Sequence, residues 1–137
     1  MSIEFNKYCS LILIFSQDLK KVLLEETNGK HDGFFYMNDK VDVEEVHISR
    51  DLTAKLCNNV EATQLRIITT LPNVNKAWKI DVFMTTMDET IIKEKEHIKW
   101  FDVNCLDESC HPNLKWLIPM SIDLSIYGSS FNQILMK

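Results

Sequence analysis

Four acidic side chains lie close together in the sequence between residues 42 and 51, where they could bind a divalent cation. They are Asp42, Glu44, Glu45 and Asp51, and Glu44 and Asp51 would lie about two helical turns apart on one face. Carboxylates near one another on one helical face can share a hard divalent cation. The alternative is that the first three favour a helix N-terminus through its dipole and that Asp51 is solvated.

Aromatic side chains form a second group of candidates, for binding a ligand that carries a base. Stacking of an aromatic ring on a nucleobase contributes about 1–3 kcal/mol per base in single-strand binders. The aromatic residues with this potential are Phe34, Phe35, Tyr36, Trp78 and Phe83. The alternative is that they fill the core, as most aromatic residues do.

Cysteine and histidine residues offer a weaker pattern. The stretch CLDESCH, Cys105 to His111, contains three soft zinc ligands, but no second cluster of matching spacing accompanies it. The four cysteines form no framework of close pairs, which is typical of free thiols in a reducing compartment. No spacing singles out a Cys–His nucleophile. The sequence therefore favours neither a zinc site nor a thiol enzyme.

The composition is typical of one soluble, cytoplasmic domain. The chain has 137 residues, and we predict a single domain over residues 1–137 with one apolar core. Its net charge of −5, its scattered lysines and its two arginines argue against binding to a nucleic-acid backbone. No segment approaches about eighteen uninterrupted apolar residues, so we expect no membrane span.

The strands and helices that must position these side chains follow from apolar periodicity. The pattern predicts turns at Thr27–Gly33 and Asn73–Lys76 and two helices, at Val43–Leu56 and over residues 111–126. The predicted strands are Tyr8–Phe15, buried on both faces, Val22–Glu26, Ala62–Pro72, Ala77–Thr86 and residues 97–103. This order favours a mixed α+β sheet with helices packed against it.

The predicted helices have recognisable signals at their ends. Asp42 is the predicted N-cap of the first helix, Glu45 has capping-box spacing, and Asn58-Asn59 suits its C-terminus. In the second helix, Pro119 conflicts with a straight helix and predicts a kink or a late start. The residues predicted to share the buried face of the first helix are Val43, Val46, Ser49, Leu52 and Leu56.

The C-terminal part of the sequence resembles the end of a Nudix hydrolase. The segments HIKWFDV and HPNLKWLIPMSID are similar to the family's WF-D-V strand and PN-L-W-LIP-A-L-D helix. SLILIFSQDLKKVLLEE resembles its opening hairpin and AWKIDVFMT its late central strand, so the similarity covers roughly residues 8–124. The resemblance implies an α/β/α sandwich with a mixed sheet between helices. It also implies diphosphate hydrolysis with Mg²⁺ or Mn²⁺ bound by glutamates of one helix.

This sequence departs from the family pattern at the metal-binding helix. Where the family has GGKVE, this chain has NDKVD with Lys40 retained, and where it has RELKEETGL, this chain has RDLTAKLCN with Arg50 retained. Ala54 and Lys55 occupy the positions of two consecutive glutamates, and an ammonium group there would repel a divalent ion. We therefore expect the usual magnesium site to be absent, and we add Lys40 and Arg50 to the ligand-binding candidates.

These replacements predict a Nudix-fold protein without pyrophosphohydrolase activity and without a cofactor. It would bind a nucleotide-like molecule or a protein, as a phage-type inhibitor for example, and a homodimer is compatible with this role. The alternative is a divergent hydrolase of a nucleoside diphosphate derivative that requires Mg²⁺ or Mn²⁺. Its catalytic candidates are Asp42, Glu45, Asp51 and Glu96, with Asp51 as the metal ligand. A further alternative is a protein-interaction domain without a small ligand.

Overall fold

Seven strands and two long helices make up the part of the chain that the structure describes. A computed structural model describes residues 5–135, with side chains described up to residue 126; residues 1–4 and 136–137 of the predicted domain lie outside this range. The elements are β1 (Lys7–Ser16), β2 (Lys21–Thr27), β3 (Lys30–Asp32), β4 (Phe34–Asn38), α1 (Glu45–Leu56), a 3₁₀ turn (Ala62–Gln64), β5 (Arg66–Asn73), β6 (Trp78–Met87), β7 (Ile98–Asp102) and α2 (Leu114–Leu135).

The N-terminal apolar run forms the central strand of a mixed sheet. β1 is buried from Cys9 to Ser16, which confirms the prediction of a strand covered on both faces. One edge of β1 pairs in parallel with β6, from Lys7 opposite Trp78 to the ends of both strands. The other edge pairs antiparallel with β4 and then with β2, and β2 also pairs with β7. The predicted hairpin of β1 and β2 is therefore present.

The segment predicted as a turn over Thr27–Gly33 contains a strand, β3, and that part of the prediction is wrong. Asn28 and Gly29 both have positive φ, 53° and 80°, as a tight hairpin turn requires, and β3 then pairs with β2. Three residues are too few for an alternating pattern to be visible. Gly33 then lets the chain pass from pairing with β2 to pairing with β1, because a Cβ there would lie 2.9 Å from the Ile12 carbonyl oxygen.

Side chains alternate along the strands and so supply one apolar layer to each helix. On one face, Ile12, Ile14 and Phe34 pack in a cluster with Ile48 and Leu52 of α1. The opposite face of the sheet packs against α2 through a second apolar cluster. Its members include Leu11, Leu13, Val82, Leu114, Leu117 and Ile118. The mixed sheet thus lies between two helices, as the α/β/α prediction requires.

The first helix ends at Leu56 as predicted, but its start, its capping residues and one residue of its predicted buried face differ from the prediction. Glu44, and not Asp42, precedes the first helical residue, and it makes no side-chain capping hydrogen bond. Val46 is 49% exposed, because the buried face of the helix is formed by Ile48, Leu52 and Leu56, which are four residues apart. The left-handed residue that ends the helix is Cys57, with φ 53°, one residue before the predicted Asn pair.

The last two corrections concern β5 and α2. β5 begins at Arg66 and not at Ala62, because a reciprocal capping box between Glu61 and Gln64 turns the preceding residues into a 3₁₀ turn. α2 begins at Leu114, five residues before Pro119, so the prediction that the proline delays the start of this helix is wrong. Pro119 and the residue four positions earlier are both exposed, so water can bind the carbonyl group that the proline leaves free.

Within residues 5–135, no helix is both long and apolar enough to span a membrane.

Candidate functional site

Lys55 lies at the centre of a charged cluster on the face of the sheet that α1 covers. Its Nζ atom is 2.9 Å from Glu25 Oε2 and 3.3 Å from Asp51 Oδ2. The Tyr36 hydroxyl donates a hydrogen bond to the same Asp51 oxygen. We call these four residues the Lys55 cluster. The Lys55 ammonium group therefore bridges the carboxylates of Glu25 and Asp51, and Asp51 also accepts a hydrogen bond from the Tyr36 hydroxyl.

Three elements bring the Lys55 cluster together. Asp51 and Lys55 are four residues apart on α1 and thus adjacent on its surface. Glu25 follows the core residue Leu23 by two positions on β2, so both side chains point to the α1 face. Tyr36 follows the core residue Phe34 in the same way on β4. Strand periodicity therefore directs the acid and the phenol towards the helix.

The electrostatics of the Lys55 cluster favour its present protonation state. Burial alone would lower the pKa of Lys55, but the hydrogen bonds and charges of Glu25 and Asp51 outweigh it and raise that pKa. Burial, and then the hydrogen bond to Asp51, raise the pKa of Tyr36. The ammonium group also lies 5.8 Å from the centroid of the Phe34 ring. The cluster is therefore held together as a cation, two anions and a neutral phenol.

The residues present do not fit the divalent cation that the resemblance implies. Ala54 offers no ligand atom, and Asp51 Oδ2 already contacts the Lys55 ammonium group and accepts the Tyr36 hydroxyl. Within the described residues, no three His, Cys, Asp or Glu side chains converge in a way that could hold a metal ion. In the CLDESCH stretch, Cys105 is exposed whereas Cys110 is buried.

The structure does not bring the other catalytic candidates into the Lys55 cluster. Asp42 lies 3.4 Å from Lys79 Nζ, with its side chain largely exposed. Glu45 is exposed in the first turn of α1, and Glu96 is exposed and 4.0 Å from His97. In the described part of the chain, none of these three acids makes a hydrogen bond or an ion pair with a member of the Lys55 cluster.

The predicted aromatic candidates separate into three environments. Phe34 and Phe83 are 0% and 4% exposed in the α1-side core, where the covered rings leave no free face for a base. Tyr36 belongs to the Lys55 cluster. Phe35 and Trp78 come together on the opposite face of the sheet, with their ring centroids 6.4 Å apart. Only this last pair is placed to contact a ligand through its rings.

Phe35 and Trp78 line a cleft of about 630 Å³ between the sheet and the start of α2, which we call the α2 cleft. The Lys76 ammonium group lies 4.6 Å from the Trp78 ring centroid, at the turn between β5 and β6. The apolar walls of the α2 cleft include Leu11, Ile80, Val82, Leu114, Trp116 and Leu117. Lys40 and Arg50, the two basic candidates, are exposed and do not line the α2 cleft.

Two polar residues of the α2 cleft were missed by sequence reasoning. Asp32 and His111 both line it, although one precedes Gly33 and the other lies before α2. The Gly33 N–H donates to Asp32 Oδ1 at 2.8 Å, and the Asn113 N–H donates to His111 Nδ1 at 3.1 Å. Burial raises the pKa of Asp32 despite the Gly33 N–H and the nearby His111. No spacing in the sequence connects residues so far apart.

Solved structures with the same fold include Nudix proteins. The chain is similar to the C-terminal domain of mouse MUTYH, solved in complex with human PCNA, with 9% identity, a TM-score of 0.65, and coverage of 85% of this chain and 87% of that one. For the E. coli dihydroneopterin triphosphate pyrophosphohydrolase, the identity is 17%, the TM-score 0.55, and the coverage 85% and 92%. For a NUDIX-family hydrolase from Clostridium perfringens, these values are 13%, 0.51, 87% and 97%.

Sequence comparison adds nothing to this structural similarity. No protein-family model matches the sequence, and no curated protein matches it. The chain therefore has a Nudix-like α+β fold with a mixed sheet and two helices, as predicted.

Proposed function

We propose that this chain is a Nudix-fold domain that binds a nucleotide-like ligand and does not hydrolyse diphosphates through a divalent metal. The observation that carries the proposal is the ion pairing of Lys55 with Asp51 and Glu25. It occurs on the helix where the resemblance places metal-binding glutamates. The lysine supplies the positive charge that a metal ion would otherwise bring to these carboxylates.

Electrostatic magnitudes support this interpretation. Two unit charges about 4 Å apart interact with about 4 kcal/mol at the effective dielectric constant of a protein surface, and a divalent ion doubles that repulsion. Binding of the ion would therefore require Lys55 to leave the cluster and to give up both of its carboxylate partners.

The α2 cleft is the site that we assign to the ligand. Its volume of about 630 Å³ lies within the usual range for small-molecule sites. The Phe35 and Trp78 rings offer apolar surface to a planar base, and Lys76 beside Trp78 offers positive charge to a phosphate. Cleavage of the ligand is not needed for this role.

Titration calorimetry with Mn²⁺ tests the metal part of the proposal. We expect no binding by the natural chain at millimolar Mn²⁺, and measurable binding by the Ala54→Glu/Lys55→Glu variant, which restores the glutamate pair. An Ile91→Glu/Lys93→Glu variant changes the net charge equally at two exposed positions outside α1 and serves as the control. A rise in melting temperature with Mn²⁺ should accompany binding.

Two results would contradict the proposal. One is Mn²⁺ binding by the natural chain that Asp51→Ala removes. The other is Mg²⁺- or Mn²⁺-dependent turnover in a panel of nucleoside diphosphate derivatives that the same substitution abolishes. Either result would favour the divergent hydrolase instead.

The ligand part of the proposal is tested by nucleotide-induced shifts of melting temperature. Trp78→Leu should remove the stabilisation by nucleotides, because it removes the stacking surface. Trp100→Phe is the matched control, since Trp100 packs against the α1-side core and not in the α2 cleft. Equal stabilisation of all three proteins by nucleotides would contradict the assignment of this cleft.

A protein partner is the second candidate, because large apolar side chains are exposed around the α2 cleft. Phe35, Val74 and Trp116 line the cleft and are 40%, 63% and 49% exposed. The MUTYH domain of similar fold was solved in complex with a protein, PCNA. A phage-type inhibitor would be one form of this role. Absence of any nucleotide effect, together with capture of a defined protein that Trp116→Ala prevents, would favour it.

A further inference from the structure

We propose that Asp32 and His111 make the α2 cleft selective for a heterocycle whose edge carries a ring N–H beside a carbonyl oxygen, as in guanine and hypoxanthine. The inference rests on the proposed ligand-binding role of the cleft and specifies which bases it accepts. Both residues line the cleft.

Asp32 provides the hydrogen-bond acceptor. One carboxyl oxygen accepts the Gly33 N–H at 2.8 Å, and the other makes no hydrogen bond within the described residues. Burial raises the pKa of this group, which indicates that its charged form is poorly solvated. A ligand that donates N–H groups to the free oxygen would replace the missing solvation.

His111 provides the donor. Its Nδ1 accepts the Asn113 N–H at 3.1 Å, and an accepting nitrogen cannot carry a proton. The neutral imidazole must therefore carry its proton on Nε2. The same bond holds the ring orientation, because the Asn113 N–H belongs to the backbone just before α2. Asp32 and His111 thus give the cleft one hydrogen-bond acceptor and one hydrogen-bond donor.

A ring N–H beside a carbonyl oxygen is complementary to this pair. The N–H would donate to Asp32, the carbonyl oxygen would accept from His111, and the 2-amino group of guanine would add a second donor to the carboxylate. Adenine has no ring N–H on the corresponding edge and would point the lone pair of N1 at the carboxylate. Polar groups of the site that an analogue leaves without partners discriminate against that analogue.

The remaining cleft residues fit the rest of a nucleotide without selecting its base. Phe35 and Trp78 present ring surface, which stacks on any base. Lys76 lies beside Trp78 and would attract the phosphate of any nucleotide. Selectivity among bases is therefore assigned to Asp32 and His111 alone.

The test compares the affinities of GMP, IMP and AMP for the full chain by titration calorimetry. We expect GMP to bind at least about tenfold more tightly than AMP, with IMP between them because it lacks the 2-amino group. Asp32→Asn, which replaces the free acceptor oxygen by an N–H donor, should weaken GMP binding about tenfold and strengthen AMP binding, because the amide can donate to adenine N1. His111→Gln is a second variant, expected to reduce the same preference.

Lys76→Ala is the control that separates affinity from selectivity. It should weaken GMP and AMP by the same factor and leave guanosine unchanged, because guanosine has no phosphate. Equal affinity of the natural chain for GMP and AMP would overturn the selectivity inference and leave nucleotide binding in place. Binding of none of these compounds at millimolar concentration would overturn both. If Asp32→Asn does not fold, the affinity ratios of the natural chain and of His111→Gln decide.

Discussion

Lys55 connects three elements through one ammonium group. It pairs with Glu25 of β2 and Asp51 of α1, and it lies near the Phe34 ring of β4. The side chain of Glu25 is only 17% exposed, so its carboxylate depends on this partner more than a surface acid would. Lys55 therefore contributes to the stability of the fold.

Replacement of Lys55 by methionine should destabilise the fold. Methionine keeps the length and apolar stem of the side chain but leaves Glu25 and Asp51 without their cation. Because the cluster is partly solvated, we expect a loss of about 1–2 kcal/mol in the free energy of unfolding, less than for a fully buried pair. Urea denaturation measures it, and Lys115→Met, at an exposed position of α2, should have little effect. Equal effects of the two substitutions would contradict the role of the cluster.

The pH dependence of stability follows from two members of the Lys55 cluster. The pKa values of Tyr36 and Lys55 are both raised, the first mainly by burial, the second by its carboxylate partners against the effect of burial. Each group keeps a proton in the folded state that the unfolded chain releases near pH 10, so stability should fall as the pH rises above about 10.

Tyr36→Phe removes one of these two protons and should make the decrease less steep. Urea denaturation at pH values of about 9 and 11 measures the difference in slope. Tyr8→Phe, outside the cluster, is the control. A decrease of the same steepness in Tyr36→Phe and the natural chain would show that this phenol does not couple to folding.

Among the elements, the β3–β4 bend depends on a close approach of two backbones. A Cβ at Gly33 would meet the Ile12 carbonyl oxygen and two leucine side chains at 2.9 Å. The carbonyl cannot move without disturbing β1, which is central to the sheet. This contact positions Asp32 at the cleft and Phe34 in the core, on either side of the bend.

Gly33→Ala should therefore cost more stability than Gly29→Ala. A Cβ at Gly29 meets no atom within 4 Å, so its cost is only the strain of φ +80°, about 1–2 kcal/mol. At Gly33, overpacking against β1 should cost about 1–3 kcal/mol and should also weaken ligand binding through the displaced Asp32. Thermal unfolding and nucleotide titration measure the two effects. Unchanged ligand affinity in a folded Gly33→Ala protein would contradict the link to the cleft.

Across the whole molecule, the sheet separates two regions with different chemistry. The Lys55 cluster lies on the α1 face, and the α2 cleft lies on the other face, because adjacent residues such as Phe35 and Tyr36 point to opposite sides. Buried strands β1 and β6 lie between them. The two regions should therefore act independently.

This separation predicts that changes in the Lys55 cluster leave ligand affinity unaltered. Lys55→Met should bind GMP within about twofold of the natural chain, since distant sites without shared partners are usually additive. Titration calorimetry at a temperature where both proteins are folded measures this. A large loss of affinity would place the phosphate near α1 and move the proposed binding site to that face.

Sequence periodicity was sufficient where one environment dominates a whole element. The continuous apolar run of β1, the alternation of β6 and the apolar stripe of α2 each predicted the strand or helix that the structure contains. Periodicity did not predict β3, because this strand is too short to show a period. It wrongly predicted that Val46 is buried, because several faces of α1 contain apolar residues.

The sequence by itself determined the main strands and helices and the positions of Ala54 and Lys55 on the first helix, because both depend on residue types at fixed local spacing. Only the tertiary structure decided which charges and rings meet. Glu25 pairs with Lys55 thirty positions away, and Asp32 shares a cleft with His111 although nearly eighty positions separate them. Such contacts depend on strand pairing and chain reversal, which bring together residues that no local pattern connects.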